Sequence, residues 1–175
     1  MEVVPGAGSI ETLQRLIDGE VDMGFVQGGT TATIDTSSLE SLGSVYYEPV
    51  WIFYRADLGD IRFLSDLSGL RVSVGAEGSG VLPLATELLL ENGITPDNAT
   101  FVNLGSADAD AALRAGEIDA AFFVISPRSE RVYELLAAED ISILSLERAA
   151  AYRSRFPYLT DLTLAQGALD LVNNV

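Results

Sequence analysis

Apolar and polar positions along this 175-residue chain fall into blocks whose period switches between that of a helix and that of a strand. Val3-Val4 reads as a short strand, and Pro5 to Gly8 as a turn that delivers Ser9 to a helix N-cap. Ile10, Leu13, Leu16 and Ile17 then form an apolar stripe of helical spacing that Gly19 ends. Residues 21–26 predict a buried strand running into the loop Gln27-Gly28-Gly29-Thr30. Residues 32–41 are polar and rich in Thr and Ser, as in a loop or short helical crossing. Residues 42–55 predict two extended segments around a Glu48-Pro49 bend, the second alternating Val50, Ile52 and Tyr54 against Trp51 and Phe53. Residues 57–60 suit a linker, and 64–70 a helical turn.

From Arg71 onward the alternation is regular. Strands are predicted at 71–75, 100–104, 118–124 and 141–146, with helices at 81–92 and 108–115 and a third starting at Ser126-Pro127. Four strands alternating with three helices predict an α/β lobe whose mostly parallel sheet is covered on both faces. The tail carries Arg148, Arg153 and Arg155, then Phe156-Pro157-Tyr158 and a strand-like stretch at 159–164. It ends at Asn173-Asn174-Val175 without a helix stop or strand closure, as expected of a truncated lobe.

One internal echo stands out. Residues 13–26 hold a helix end, then Gly19-Glu20-Val21-Asp22 and Phe25-Val26; residues 111–124 hold a helix end, then Gly116-Glu117-Ile118-Asp119 and Phe122-Phe123-Val124. Both read as helix, glycine C-cap, acid, β-branched residue, Asp and buried strand. Such turns also arise by convergence, but a pair of them predicts two similar lobes facing a shared cleft.

Composition narrows the chemistry. Ten basic against 26 acidic residues give a net charge of −16, a field that repels phosphate backbones and argues against nucleic-acid binding. An anionic ligand would then depend on local cations and main-chain amides in its pocket. The absence of Cys and His removes thiol and imidazole catalysis and the common zinc ligand sets, so neither a metal nor a cofactor is expected. Gly78-Ser79-Gly80 lacks the Gly-x-Ser-x-Gly frame of a nucleophile elbow, and with no triad base the chain is not expected to be an enzyme. The first residues enter strand-like sequence with no basic region or signal core, which suits either a cytosolic protein or one whose leader has been removed, and the abrupt start favours the second.

Several segments together resemble the TAXI subfamily of TRAP-transporter solute-binding proteins: Gly8 to Glu11, Gly19 to Gln27, Tyr46 to Arg55, Leu70 to Gly80 and Phe156 to Leu159. The resemblance implies a type II periplasmic-binding-protein-like α/β fold, two lobes joined by hinge strands with ligand closed between them. It implies a partial first lobe with hinge strands at 1–55 and 149–175, and a complete second lobe at 56–148. It also implies an extracytoplasmic, periplasmic location, free or tethered to the membrane, and transporter permease subunits as partners. The incomplete first lobe predicts exposed apolar surface, hence oligomers or strand exchange.

In an open α/β sheet the ligand lies beyond the carboxyl ends of the strands, where loops enter helix N-termini. Five loops qualify: Gly8-Ser9, Gln27-Gly28-Gly29-Thr30, Glu77-Gly78-Ser79-Gly80, Gly105-Ser106, and Ser126. Glycine lets a ligand approach the main chain and helix-end amides favour an anion, and together with what the resemblance implies this points to a small carboxylate such as glutamate, glutamine or a keto acid. Any one of these serines is equally well an ordinary N-cap. Tyr46, Tyr47 and Trp51 suit hinge core, with Tyr47 the candidate to reach the pocket. Arg71 is expected at the far, amino end of its strand, and Glu77 should point away from an anion. An effector-binding domain of a transcription regulator, or a sensory module of the same fold, is the alternative reading.

Overall fold

The computed structural model describes residues 2–30, 34–165, 167 and 168. Its centre is a five-stranded mixed sheet in the order β3-β2-β4-β1-β5, with β1 at Val50–Arg55, β2 at Arg71–Ser73, β3 at Thr100–Val102, β4 at Ala120–Val124 and β5 at Ile141–Ile143. Strands β2, β3 and β4 run parallel, in the register Val72 opposite Phe101 and Ala120. The helices are α1 (Ser9–Ile17), α2 (Val81–Glu91), α3 (Ser106–Arg114), α4 (Glu130–Ala137) and α5 (Ala149–Arg155), with 3₁₀ turns at Ala56–Leu58 and Leu64–Leu67.

The alternation predicted from Arg71 onward therefore appears as strands and helices, because a run such as Ala120 to Phe123 can be stable only when covered on both sides. One core, holding Ile52, Val72, Val74, Leu84, Leu88 and Phe122, lies under α2. The other, with Phe53, Phe123, Leu113, Val132 and Leu135, lies under α3 and α4. Phe53 and Phe123 pack edge to face with centroids 5.9 Å apart, and both are fully buried.

Strand β1, which the resemblance implies is a hinge strand, is a full member of this sheet. It lies between β4 and β5 and antiparallel to both, with Phe53 opposite Ala121 on one side and Ile143 on the other. Its alternation accounts for the placement: Ile52 and Tyr54 face the α2 core while Trp51 and Phe53 face the other. Trp51 donates its indole N–H to the Ile125 carbonyl at 3.0 Å, so this ring is core rather than ligand platform.

Other strand expectations fail. Residues 3–4, 21–26, 42–49 and 159–164 form no strand, because none of them finds a hydrogen-bonded neighbour among the described residues. Met23 and Phe25, expected buried, are 63% and 80% exposed. Helix α4 begins at Glu130 rather than at Ser126, whose hydroxyl instead accepts from the Arg128 amide at 3.2 Å and holds a turn. The chain end at 173–175 lies outside the described residues. The described helices are all too short to cross a membrane.

Candidate functional site

At the carboxyl end of β2 the chain turns through residues 74–80 into α2, and at the carboxyl end of β3 it turns through 103–105 into α3. The first amides of both helices have no acceptor within their own helix and open toward that end of the sheet. Gly75 takes φ +95°, and a Cβ there would come within 2.7 Å of the Val81 side chain, so the tight entry into α2 requires glycine. Asn103 spans the two loops by donating its side-chain amide to the Gly75 carbonyl at 3.1 Å.

Onto this end of the sheet the structure docks the start of α1. The Ile10 amide donates to the Gly78 carbonyl at 3.3 Å, and a Cβ on Gly8 would stand 2.8 Å from that same oxygen and 2.9 Å from the Ser79 Cα. The glycine is therefore there for close approach between two main chains. Ser9 Oγ accepts from the Gln27 amide at 2.9 Å, and the Gln27 side chain donates to the Gly80 carbonyl at 3.2 Å. A Cβ on Gly80 would sit 2.7 Å from Gln27 Oε1. Thr30, 1% exposed, donates its hydroxyl to the Gln27 carbonyl at 2.7 Å and fixes the loop that carries Gln27.

Six of the candidate residues thus meet at one contact: Gly8, Ser9, Gln27, Gly78, Ser79 and Gly80. Gly28 and Gly29 continue the same loop, Gly29 under the ring of Tyr158 and Gly28 beside its Cβ and carbonyl. Ser79 is already engaged, donating to the Ala76 carbonyl at 2.6 Å and accepting from the Leu82 amide at 3.4 Å, so its hydroxyl acts in part as a helix cap. Ser106 opens α3 at the same end of the sheet, and Ser126 follows β4 there, exposed. Tyr47 stands apart, 73% exposed on the segment ahead of β1. Glu77 is exposed.

The opposite end of the sheet is built differently. Asp119 accepts from the Arg71 amide at 2.8 Å and from its guanidinium at 2.7 and 2.9 Å, with Arg55 3.7 Å away. The hydrogen bond from Arg71, outweighing the opposing effect of burial, holds the Asp119 carboxyl below its usual range. Arg71 is thus at the amino end, where it ties β2 to β4. A depression of about 460 Å³ lies nearby, lined by residues that include Arg55, Asp57, Arg114 and Asp140. A smaller one of about 150 Å³ lies between Glu91, Tyr152 and Arg155. Both are away from the glycine loops, which touch each other directly.

The residues that sequence reasoning passed over are Asn103, Glu87 and Tyr158. Asn103 follows β3 directly and was legible from its place in the loop; the other two meet across 71 positions of sequence, which no local pattern reveals.

A sequence model of the NMT1-like family matches residues 1–174. The chain belongs to the NMT1-like family. Three solved structures with similar folds extend the comparison. One is the substrate-binding protein AbpA of an amino acid ABC transporter from Streptococcus pneumoniae, bound to L-arginine: 21% identity, TM-score 0.56, covering 83% of this chain and 56% of that one. A periplasmic binding protein of an ABC transporter from Brucella ovis, with glutathione bound, shares 22% identity at TM-score 0.55, covering 81% and 44%. The alkanesulfonate-binding protein SsuA from Xanthomonas axonopodis pv. citri, bound to MOPS, shares 21% at TM-score 0.50, covering 89% and 57%. This NMT1-like chain has the α/β fold of type II periplasmic binding proteins and spans about half the length of the solved chains it matches.

Proposed function

We propose that this chain is the ligand-binding part of an extracytoplasmic solute receptor that holds a small carboxylate and passes it to a membrane permease. The observation that carries the reading is the meeting of the Gly8-Ser9 and Gln27 loops with Gly78 to Gly80 at the carboxyl ends of parallel strands. Helix-entry amides and close-packed glycines suit a carboxylate such as glutamate, glutamine or a keto acid, and the Gln27 amide can donate to it or accept from its ammonium group. Gly28, Gly29, Ser106 and Ser126 complete the proposed site, with Tyr47 reaching it only after movement of its segment. Arginine, glutathione and MOPS, the molecules in the similar structures, all carry a carboxylate or sulfonate, which supports an anionic group as the shared element. No catalytic role is proposed, since the sequence offers neither His nor Cys.

For the permease, the resemblance to TAXI receptors supports a TRAP-type partner, whereas the ABC transporters named for two of the similar structures support an ABC-type one. The gene beside this one separates them: a fused multi-span permease for TRAP, or a permease with an ATPase for ABC.

Thermal unfolding with L-glutamate, L-glutamine, 2-oxoglutarate, sugars and divalent cations tests the ligand class. At a hundredfold excess over Kd a ligand adds about 2.7 kcal/mol, so an acid should raise Tm by about 5 °C or more. A response to sugars with silence toward every acid overturns the carboxylate assignment.

A further inference from the structure

Tyr158 follows α5 on a short turn that the core anchors. Phe156 is 5% exposed in the core under α2, and the Leu159 amide closes the turn onto the Phe156 carbonyl at 2.9 Å. From this turn the Tyr158 ring reaches over Gly29, where an added Cβ would stand 2.6 Å from the ring, and its Cβ lies near Gly28. Its hydroxyl donates to Glu87 Oε2 at 2.5 Å, on the outward side of α2. Gly29 takes φ +88°, a conformation a side chain would strain, so both the backbone and the space above it suit only glycine.

These contacts close a circuit on one helix. The entry of α2 touches Gln27 through Gly80, and the middle of α2 touches Tyr158 through Glu87, while Tyr158 presses on the loop that carries Gln27. Without the strut, the hydrogen bonds left to that loop among the described residues are those with Ser9, Gly80 and its own Thr30 hydroxyl. Burial first, and the Glu87 carboxylate second, push the pKa of the Tyr158 hydroxyl well above the ordinary tyrosine value, so it remains a donor at any physiological pH.

We infer that Tyr158, held by Glu87, is a positioning residue of the ligand site: it seats the 27–30 loop so that the Gln27 amide rests over the Gly78 to Gly80 loop. The inference rests on the receptor reading for its purpose but not for its test, which uses the full chain with no ligand added. Hydrogen exchange at the Gln27 amide, the donor to Ser9, reports the seating, and the amides of Phe53 and Phe123 report the sheet. Tyr158→Phe and Glu87→Gln should each speed exchange at Gln27 by about tenfold, the effect of losing a hydrogen bond to a charged group, and the double variant should add little to either. Tyr158→Ala, which also removes the ring from Gly29, should speed it further, and the phenylalanine should recover part of that loss. The sheet amides should not change. Exchange at Gln27 that is indifferent to all of these variants, or that rises only in step with the sheet, overturns the assignment. A screen silent toward every acid alongside tenfold faster exchange would overturn the carboxylate assignment alone.

Discussion

The same short phrase occurs twice in this chain with opposite outcomes. After α1, Gly19 takes φ 71°, its amide donates to Leu16 and the Glu20 amide to Arg15; after α3, Gly116 takes φ 72°, its amide donates to Leu113 and the Glu117 amide to Ala112. The two turns are the same Schellman-type helix end. Beyond the turn they diverge. Ile118 and Asp119 lead into β4, where Phe122 and Phe123 are buried, whereas Val21 and Asp22 lead into a stretch that has no strand partner among the described residues and exposes Met23 and Phe25. A helix stop is written in a few adjacent residues, while a strand exists only where another strand meets it.

The sharpest way to break this contrast is to truncate matched aromatics. Phe123→Ala empties a fully buried site against Phe53 and should cost about 3–5 kcal/mol, whereas Phe25→Ala at 80% exposure should stay within about 0.5 kcal/mol. Urea unfolding of both variants measures the difference. A large loss at Phe25 would mean that its segment packs in solution against something more.

Matched aspartates give the next effect. Asp119, 8% exposed, binds Arg71 through three hydrogen bonds, and Asp119→Asn should cost about 2 kcal/mol, as expected for bonds to a charged group; Asp22→Asn at an exposed turn should be near neutral. Because the folded carboxyl is held below its usual range, the unfolded chain takes up the proton first as pH falls. The stabilisation is therefore complete above about pH 4–5 and fades as pH drops through the lower folded value. Unfolding free energy followed from pH 6 to 2 should fall less steeply in Asp119→Asn than in the parent; parallel curves would show that the ion pair carries no net stability.

The glycines give the smallest and most discriminating effect. Gly19→Ala and Gly116→Ala should each cost about 1 kcal/mol for placing a side chain at positive φ. Gly116→Ala should cost a few tenths of a kcal/mol more, because its Cβ would lie 3.0 Å from Arg55 Nη1, while no described residue stands within 4 Å of one on Gly19. Equal losses would mean that Arg55 yields freely.

This contrast also sets how far the fold was legible in the chain alone. The region from Arg71 to Ile143 was readable because each strand is followed closely by its helix and its parallel neighbours come next in sequence. The insertion of Val50–Arg55 between β4 and β5 was not, since both partners lie far downstream and an alternating apolar run does not say whom it will pair with. The same blindness produced strands at 21–26 and 159–164 that the structure lacks. At the site, loop tips with glycine and serine could be named from the order of elements alone. That Gly8 must be glycine because the Gly78 carbonyl is 2.8 Å from its missing Cβ, or that Tyr158 shields Gly29, depends on contacts between distant segments.

The central place of β1 also bears on how the molecule is made. Val50–Arg55 leaves the ribosome well before β4 and β5, the two strands that will flank it, so the Val-Trp-Ile-Phe-Tyr run must wait without a partner. Sheets closed by such long-range pairing nucleate slowly, and an unpaired apolar strand is the kind of segment that associates with copies of itself. A nascent chain stalled short of residue 120 would present its stickiest stretch with nothing to cap it, which marks that interval of synthesis as the one in which a holding chaperone matters most.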